Sequence, residues 1–194
     1  MFDRMPTDCL CLIRHGETDW NAVGRIQGRE DTLLNANGRR QAEQTGLYLS
    51  QWRWSGLVSS PLLRARETAQ IIARLTGIAT VQEMPEFMER DYGECSGLTG
   101  LERRNRYPDG NIPGQEPLAT LQQRVMSGLA TLHDQGNYPT LVVAHGGVIN
   151  AILANLSSGE IGTGKTILHN ASMTVLQHTK GHWTVLTYNA NGHL

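Results

Sequence analysis

Residues 9–18 read CLCLIRHGET and join an apolar run to a polar tip. The apolar part, residues 9–13, has the length of a buried strand and is far too short to span a membrane. Arg14 and His15 follow directly, and Gly16 allows the backbone to turn after them. The stretch predicts an interior strand that carries an arginine and a histidine to its carboxyl end.

A second stretch repeats this design. Residues 140–147 read TLVVAHGG, so a strongly apolar strand again ends in a histidine, His145, and a helix is predicted over residues 148–156. The position before a helix favours anions, because the first amide N–H groups of a helix lack partners. In parallel sheets the ligand site lies beyond the carboxyl ends of the strands, so the two histidines predict one site.

The rest of the chain alternates between short strands and helices. Helical periodicity predicts helices over residues 37–51, 61–75 and 118–133, and apolar runs predict strands over 57–59, 80–82, 172–178 and 183–188. This alternation predicts an α/β fold, in which three layers (α/β/α) surround a mainly parallel sheet. We expect residues 1–194 to form a single domain, with the Gly- and Pro-rich residues 86–117 as an irregular insertion beside the site.

The composition narrows the class of protein. Of the 194 residues 39% are hydrophobic and 18% charged, and 17 basic against 18 acidic residues leave a net charge of −1. That balance argues against nucleic acid as a partner, which needs a strongly basic surface. Residues 1–13 lack the apolar stretch of a signal peptide, so we expect a cytoplasmic protein with no membrane partner. Three cysteines without a CxxC pattern predict buried free thiols.

A further motif adds a second arginine to the predicted site. Residues 59–69 read SSPLLRARETA, which places Arg64 one turn into a helix that follows a strand end, whereas Arg66 is predicted to be solvated. Arginine presents a planar fork of donors that suits phosphate oxygens, and a neutral imidazole is a competent nucleophile. Arg14, His15 and Arg64 together indicate a phosphoryl site.

Ordered along the chain, these motifs resemble those of the histidine phosphatase superfamily, in its phosphoglycerate-mutase-like branch. The matching segments are residues 14–18 with Trp20 and Asn21, Gln27-Gly28, residues 34–38, 59–69, 88–93 and 143–147. The resemblance implies a phosphoglycerate-mutase-like fold and a phosphomonoesterase that acts on a small phosphorylated metabolite without a metal or cofactor. It leaves the substrate open, and a homodimer remains one of the possible oligomeric states.

The resemblance also implies a role for each matching residue. His15 would be the nucleophile that becomes phosphohistidine, and Glu89 would first protonate the leaving oxygen and then accept a proton from water. The phosphoryl group would be held by three fixed donors, Arg14, Arg64 and His145. Asn21 and Gln27 would add neutral donors at the pocket edge. Gly146, at the start of the helix, would also contact the substrate.

Three features depart from the family pattern or allow two interpretations. The segment GECSG at residues 93–97 lacks the family's tryptophan, and it contains a second candidate acid, Glu94. Pro117 replaces a small polar residue that would cap the next helix. A basic cluster in the insertion would either recruit a multiply charged substrate or form a solvated helix face: Arg103, Arg104 and Arg106.

The sequence argues against three alternatives to a phosphatase. Residues 159–166, GEIGTGKT, match the P-loop pattern GxxxxGK[ST], but a P-loop follows a strand and opens a helix, whereas a helix is predicted before this segment. A flexible glycine loop is therefore predicted. A phosphate-binding module without turnover would be expected to lack His15, Arg64 or His145, and none is missing. A phosphoglycerate mutase needs a closed pocket, and the short segment 89–116 favours hydrolysis instead.

Overall fold

The computed structural model describes residues 6–194; residues 1–5, on which the prediction of no signal peptide partly rests, lie outside it. The described strands are β1 (Cys9–Arg14), β2 (Gly56–Ser59), β3 (Gln82–Glu83), β4 (Thr140–Ala144), β5 (Met173–Thr179) and β6 (His182–Ala190). The described helices are α1 (Asp19–Ala22), α2 (Ala36–Leu49), α3 (Leu63–Thr76), α4 (Gly100–Arg106), α5 (Leu118–Gln135) and α6 (Gly146–Leu156).

One sheet with the strand order β3-β2-β4-β1-β5-β6 runs through the molecule. The first four strands of that order are parallel, and β1 pairs with β4 so that Leu12 lies opposite Val142. β5 and β6 are antiparallel to their neighbours. The predicted α/β fold with a mainly parallel sheet is thus confirmed, and the parallel pairing places the ends of β1 and β4 side by side.

Side chains alternate between the two faces of the sheet along each strand, so both faces carry apolar side chains and both are covered by helices. Leu10 and Leu12 point towards α5 and α6, in a core cluster that includes Val125 and Ile149. Cys9, Cys11 and Ile13 point the other way, towards α2 and α3. The three-layer prediction is confirmed.

The three cysteines are free and buried, as predicted. Cys9 and Cys11 lie on the same face of β1, two residues apart. Burial, with a smaller contribution from the charge of Asp8, raises the pKa of the Cys9 thiol to about 12. These thiols therefore act as small apolar side chains in the core rather than as nucleophiles.

The helix ends follow from local sequence. α2 begins at Asn35, whose side chain accepts a hydrogen bond from the amide of Gly38. α3 ends at Gly77, which has a left-handed conformation with φ +73°, as the glycine at that position predicts. α5 begins after Pro117, and no side chain caps it.

The prediction of a wholly irregular segment 86–117 is wrong. The segment contains most of one 3₁₀ turn (Pro85–Phe87), a second turn (Gly93–Cys95) and the seven-residue α4. A capping box between Thr99 and Glu102 starts α4, and none of its residues is buried. A helix this short without a buried face has no apolar periodicity by which sequence could reveal it.

The predicted start of α6 is also corrected. The helix begins at Gly146, two residues before the predicted position, so the two glycines directly after β4 belong to its first turn. Across residues 6–194, the helices are all too short or too polar to cross a bilayer.

Candidate active site

A cavity of about 420 Å³ opens at the carboxyl ends of β1 and β4, where the sequence predicts the site. Its floor is formed by residues at the strand tips and by the buried arginine of α3. Its walls come from residues 25–28, from the segment after β3 and from the glycine loop between α6 and β5. The lining includes Arg14, His15, Asn21, Gln27, Arg64, Glu89, Tyr92, Arg103, Gly146, Gly147 and Asn150.

His15 is held as a neutral ring with one nitrogen directed at the cavity. Its Nδ1 lies 2.7 Å from the carbonyl oxygen of Gly16, so Nδ1 carries the proton and Nε2 keeps its lone pair. Nε2 accepts a hydrogen bond from Nε of Arg64 at 3.2 Å. Burial, and then the charges of Arg64 and Arg14, hold the pKa of His15 well below its usual range. The ring is therefore unprotonated at neutral pH, as a nucleophile requires.

Gly16 is needed for close packing rather than for the turn that the sequence suggests. It does not have a positive φ. A Cβ at residue 16 would lie 2.4 Å from the carbonyl oxygen of Gly38, so only glycine lets α2 approach this closely. The amide of Gly16 donates to Oγ1 of Thr68, which ties the strand tip to α3. His15 thus stands on a backbone fixed from two sides.

Arg64 is fully buried and has a fixed orientation. Its Nη1 and Nη2 each donate at 2.7 Å, to the carbonyls of Glu30 and Gly28 respectively. Burial lowers the pKa of Arg64 to about 10, and the guanidinium therefore stays charged at neutral pH. Arg14 donates through Nη1 to the carbonyl of Leu168, whereas its buried Nε has no partner among residues 6–194. Both arginines are oriented before any ligand binds.

His145 supplies a neutral N–H group. Its Nε2 lies 2.7 Å from Oγ of Ser60, and the same Oγ accepts from the amide of Leu62 at 3.3 Å. Because the Ser60 oxygen already accepts from the Leu62 amide, its hydroxyl is assigned as the donor to Nε2, and this assignment places the ring proton on Nδ1. Nδ1 is buried and has no partner within the described residues. The ring centroids of His15 and His145 are 5.2 Å apart.

The resemblance implies that His145 is a donor, and its surroundings in the structure decide whether it carries a charge. Burial, followed by the charges of Arg64 and His15, holds the pKa of His145 well below its usual range. A second cation beside two arginines would be strongly disfavoured in such a buried place. His145 therefore offers a hydrogen bond without a charge.

Asn21 and Gln27 both direct amide NH₂ groups towards the cavity. Oδ1 of Asn21 accepts from the amide of Thr18 and from the side chain of Asn170, each at 3.2 Å. Oε1 of Gln27 accepts from the Thr32 hydroxyl. With their oxygens engaged, both side chains present donors to the pocket, in agreement with their predicted role as neutral donors at its edge.

Glu89 lies inside the cavity and Glu94 does not. Oε2 of Glu89 accepts from the amide of Gly147 at 3.0 Å, and Oε1 accepts from the amide of Arg90 at 2.8 Å. A Cβ at residue 147 would lie 2.4 Å from Oε1, so Gly147 makes room for the carboxylate. The carboxylate of Glu94 is half exposed, accepts from the Tyr107 hydroxyl and does not line the cavity. The geometry favours Glu89 as the acid.

The three arginines of the basic cluster in the insertion lie in different surroundings. Arg103 lines the cavity, and its guanidinium makes no ion pair or hydrogen bond with any described residue. Arg104 lies outside the cavity lining, and Arg106 pairs with Glu94 and stacks over Tyr107. Only one of the three arginines is therefore available to a ligand.

The glycine loop of residues 159–166 is not a P-loop. It follows α6 rather than a strand, and Nζ of Lys165 donates to the carbonyl of Gly159 instead of lining the cavity. Thr163, Gly164 and Thr166 nevertheless form part of the cavity wall. This contact was not predicted.

Other lining residues were also missed. Tyr92 and Asn150 reach the cavity from the insertion and from α6. The nearby charge of Glu89, together with burial, raises the pKa of Tyr92, so its hydroxyl stays protonated. No sequence pattern identifies these residues, because only chain folding brings their elements to the strand tips.

Taken together, the floor of the cavity suits a tetrahedral oxyanion. It combines two fixed arginines, neutral N–H donors and the start of α6 at Gly146, whose first amides have no partner within the helix. A neutral nucleophile and a carboxylate lie at its edge. Between residues 6 and 194, no three His, Cys, Asp or Glu side chains group so as to hold a metal ion.

Comparisons with known proteins agree with this geometry. The family model for the histidine phosphatase superfamily (branch 1) matches residues 10–191. A Bacillus subtilis protein named uncharacterized phosphatase PhoE is 43% identical, covering 95% of this chain and 96% of the relative. A metal-independent phosphoserine phosphatase of Arabidopsis thaliana is 33% identical, over 95% and 82% of the two chains. The solved structure of a mycobacterial glucosyl-3-phosphoglycerate phosphatase complexed with VO3 is 29% identical. The match covers 94% of this chain and 99% of the mycobacterial chain, with a TM-score of 0.85.

Proposed function

This chain is a phosphatase that belongs to the histidine phosphatase superfamily, and we propose that it hydrolyses small phosphomonoesters through a phosphohistidine at His15. The observation that carries the proposal is the state of His15. Its Nδ1 proton is held by the Gly16 carbonyl, and the Nε2 lone pair lies beside two fixed guanidinium groups. That arrangement suits nucleophilic attack on a phosphorus atom whose oxygens those groups hold.

In the first step Nε2 of His15 attacks phosphorus and the bond from phosphorus to the leaving oxygen breaks. Glu89 gives its proton to that oxygen, so the alcohol leaves neutral. Arg64 now donates to Nε2, and in the complex this donor passes to a phosphoryl oxygen. Arg14 and Nδ1 of His145 contribute the free buried donors noted above, which stabilise the charge of an in-line transfer.

In the second step a water molecule attacks the phosphorylated His15. The Glu89 carboxylate accepts a proton from the water, the P–N bond breaks, and inorganic phosphate leaves. His15 returns to its neutral form with Nδ1 still bound to the Gly16 carbonyl. Neither step uses a metal, since the positive groups are Arg14 and Arg64.

We propose further that the preferred substrates carry a second acidic group. Among the described residues that line the cavity, five are arginines and one, Glu89, is a carboxylate. Of these five lining arginines, Arg103 is the one whose guanidinium makes no ion pair or hydrogen bond with a described residue. The relatives named for phosphoserine and glucosyl-3-phosphoglycerate act on phosphomonoesters that also bear a carboxylate, which supports this class.

The proposed partner is therefore a small anionic metabolite, with no nucleic acid or membrane partner, and a homodimer is left open. The proposed location is the cytoplasm, which is supported by three free buried thiols.

The test is to trap the intermediate. The enzyme is mixed with radiolabelled phosphate ester, quenched in alkali after milliseconds, and the labelled peptide is mapped. We expect an acid-labile, alkali-stable label on residues around His15, absent from His15→Ala. An acid-stable label, or a label elsewhere, would overturn the mechanism.

The same preparation answers the mutase alternative. With 3-phosphoglycerate and a catalytic amount of 2,3-bisphosphoglycerate, we expect release of free phosphate to exceed formation of 2-phosphoglycerate. Faster isomerisation, at a turnover typical of enzymes of roughly 1–10³ s⁻¹, would make the chain a mutase.

A further inference from the structure

Glu89 is carried by a segment that has no regular structure of its own. It lies between the 3₁₀ turns Pro85–Phe87 and Gly93–Cys95. A proton donor must nevertheless be placed accurately, since a misplacement of about 1 Å can cost roughly 10²-fold in rate. Groups outside this segment must therefore hold its backbone.

Arg124, on α5, holds the segment from one side. Its Nη1 donates to the carbonyls of Glu86 at 2.8 Å and Met88 at 2.7 Å, and its Nη2 donates to the carbonyl of Glu89 at 3.3 Å. One guanidinium thus binds three carbonyls within four residues, including that of Glu89 itself. Such a set of bonds fixes the path of the backbone as well as its distance from α5.

Glu116 holds the segment from the other side. Its two carboxylate oxygens accept from Nε and Nη2 of Arg124, each at 2.9 Å, in a bidentate pair. Oε2 also accepts from the amide of Asp91 at 3.3 Å. The backbone of Glu116 makes two further hydrogen bonds. Its amide donates to the carbonyl of Asp91 at 2.9 Å, and its carbonyl accepts from Nε of Arg90 at 2.8 Å. Residues before and after Glu89 are therefore tied to one ion pair.

This ion pair is close to the site but is not part of it. Neither Arg124 nor Glu116 lines the cavity, and the Glu116 side chain is only 8% exposed. We propose that the Arg124–Glu116 pair is a positioning device that sets the Glu89 carboxyl against the leaving oxygen. This inference rests on the proposed function, because it takes Glu89 to be the proton donor.

The Glu116 carboxyl is ionised at neutral pH. Burial opposes ionisation of Glu116, but the hydrogen bonds and charge of Arg124 outweigh it and place the pKa of Glu116 below its usual range. Loss of Glu116 would leave the Arg124 charge without a carboxylate, whereas loss of Arg124 would leave Glu116 only the more exposed Arg29 at 3.6 Å, so deletion of either side chain risks the fold. Conservative variants are therefore the informative ones.

The test compares two substrates in four single variants and one double variant. Arg124→Lys keeps the positive charge but loses the guanidinium that donates to several acceptors at once. Glu116→Gln keeps the shape of the side chain but loses the negative charge. Arg66→Lys is the matched control, since Arg66 pairs with Glu83 at 3.0 Å on the exposed face of α3. Glu89→Gln reports on the acid itself. For each, kcat is measured on an alkyl ester, 3-phosphoglycerate, and on p-nitrophenyl phosphate, whose leaving group needs little protonation.

We expect Arg124→Lys and Glu116→Gln to lower kcat for the alkyl ester at least about tenfold more than for the aryl ester, with unchanged circular dichroism. Arg66→Lys should leave both rates unchanged. In the Glu89→Gln background, Arg124→Lys should not alter the ratio further, because the acid that it positions is gone.

The outcomes separate the two proposals. Equal losses on both substrates in Arg124→Lys and Glu116→Gln, with a selective loss in Glu89→Gln, would overturn the positioning role and leave the mechanism intact. Equal losses in Glu89→Gln would overturn the acid role, and the positioning role with it. A further selective loss in the double variant would also count against the pair acting through Glu89.

Discussion

The two ends of the cavity are built differently. At the phosphoryl end, His15 and His145 follow β1 and β4, and Arg64 is fully buried on α3. At the leaving-group end, Glu89 and Arg103 come from the segment between β3 and α5, which has short turns and one short exposed helix. The first end rests on the sheet, whereas the second depends on ties made by side chains.

This difference separates the chemistry from the choice of substrate. Strand ends in a close-packed sheet can hardly move, so the groups that hold a phosphoryl oxyanion are fixed before binding. The leaving-group end can change by substitution in one segment without disturbing the sheet. We therefore expect changes at the phosphoryl end to abolish turnover on every substrate, and changes at the other end to discriminate between substrates.

The largest expected effect is at the phosphoryl end. His15→Ala removes the nucleophile, and kcat should fall by several orders of magnitude on alkyl and aryl esters alike, as for other covalent catalysts. Steady-state phosphate release measures it, with circular dichroism as the check on folding. Activity above about a tenth of wild type would show that His15 is not the nucleophile.

The next effect is at the leaving-group end and should depend on the substrate. Glu89→Gln should slow alkyl phosphates by roughly 10²–10⁴-fold and aryl phosphates much less, because general-acid help matters most for a basic leaving oxygen. A series of esters with graded leaving-group pKa values measures the dependence. Glu94→Gln is the control and should have little effect, since Glu94 lies outside the cavity.

A smaller effect is expected at Arg103. Arg103→Ala should raise KM about tenfold for 3-phosphoglycerate and leave KM for p-nitrophenyl phosphate nearly unchanged. A charge-assisted hydrogen bond contributes roughly 1.5–3 kcal/mol, and the bond from Arg103 to the substrate carboxylate should lie at the low end because Arg103 is exposed. Arg104→Ala is the matched control, one residue away and outside the cavity lining. Equal shifts in KM for both substrates would remove the second anionic subsite.

The smallest effect concerns stability rather than rate. The pKa values of His15 and His145 are lowered by folding, so below about pH 6.5 the unfolded chain binds protons that the folded chain does not. Stability should therefore be full above that pH and fall as the pH drops towards the folded pKa values, by up to about 1.4 kcal/mol per pH unit for each ring.

Urea denaturation between pH 7.5 and 5.5 measures this loss. His145→Asn should lessen the dependence on pH, whereas His182→Asn, at an exposed position of β6, should not. An unchanged dependence in His145→Asn would mean that His145 is already protonated in the folded protein.

The sequence predicted the phosphoryl end more completely than the leaving-group end. Apolar runs that end in histidine revealed β1 and β4, and Arg64 stood in a segment that matches the family, so these residues are found where the resemblance implied them. That His145 donates without a charge depends on its burial beside Arg64 and on its hydrogen bond with Ser60. Neither is visible in a list of residues.

At the leaving-group end the sequence left alternatives that only contacts resolve. Arg103, Arg104 and Arg106 look alike in sequence, yet one lines the cavity and another pairs with Glu94. The helix α4 was anticipated only as one of two interpretations of these arginines, because a short helix without a buried face leaves no periodic pattern.

The layered sheet, the two strand tips and the residue types of a phosphoryl site were predictable from the amino-acid sequence, because hydrophobic periodicity and strand-end polarity are local properties of the chain. The tautomer of each histidine, the acid that faces the cavity and the way in which Arg124 and Glu116 hold Glu89 became apparent only from the folded chain. These features depend on burial and on hydrogen bonds between residues far apart in the chain, and such contacts exist only once the layers have packed.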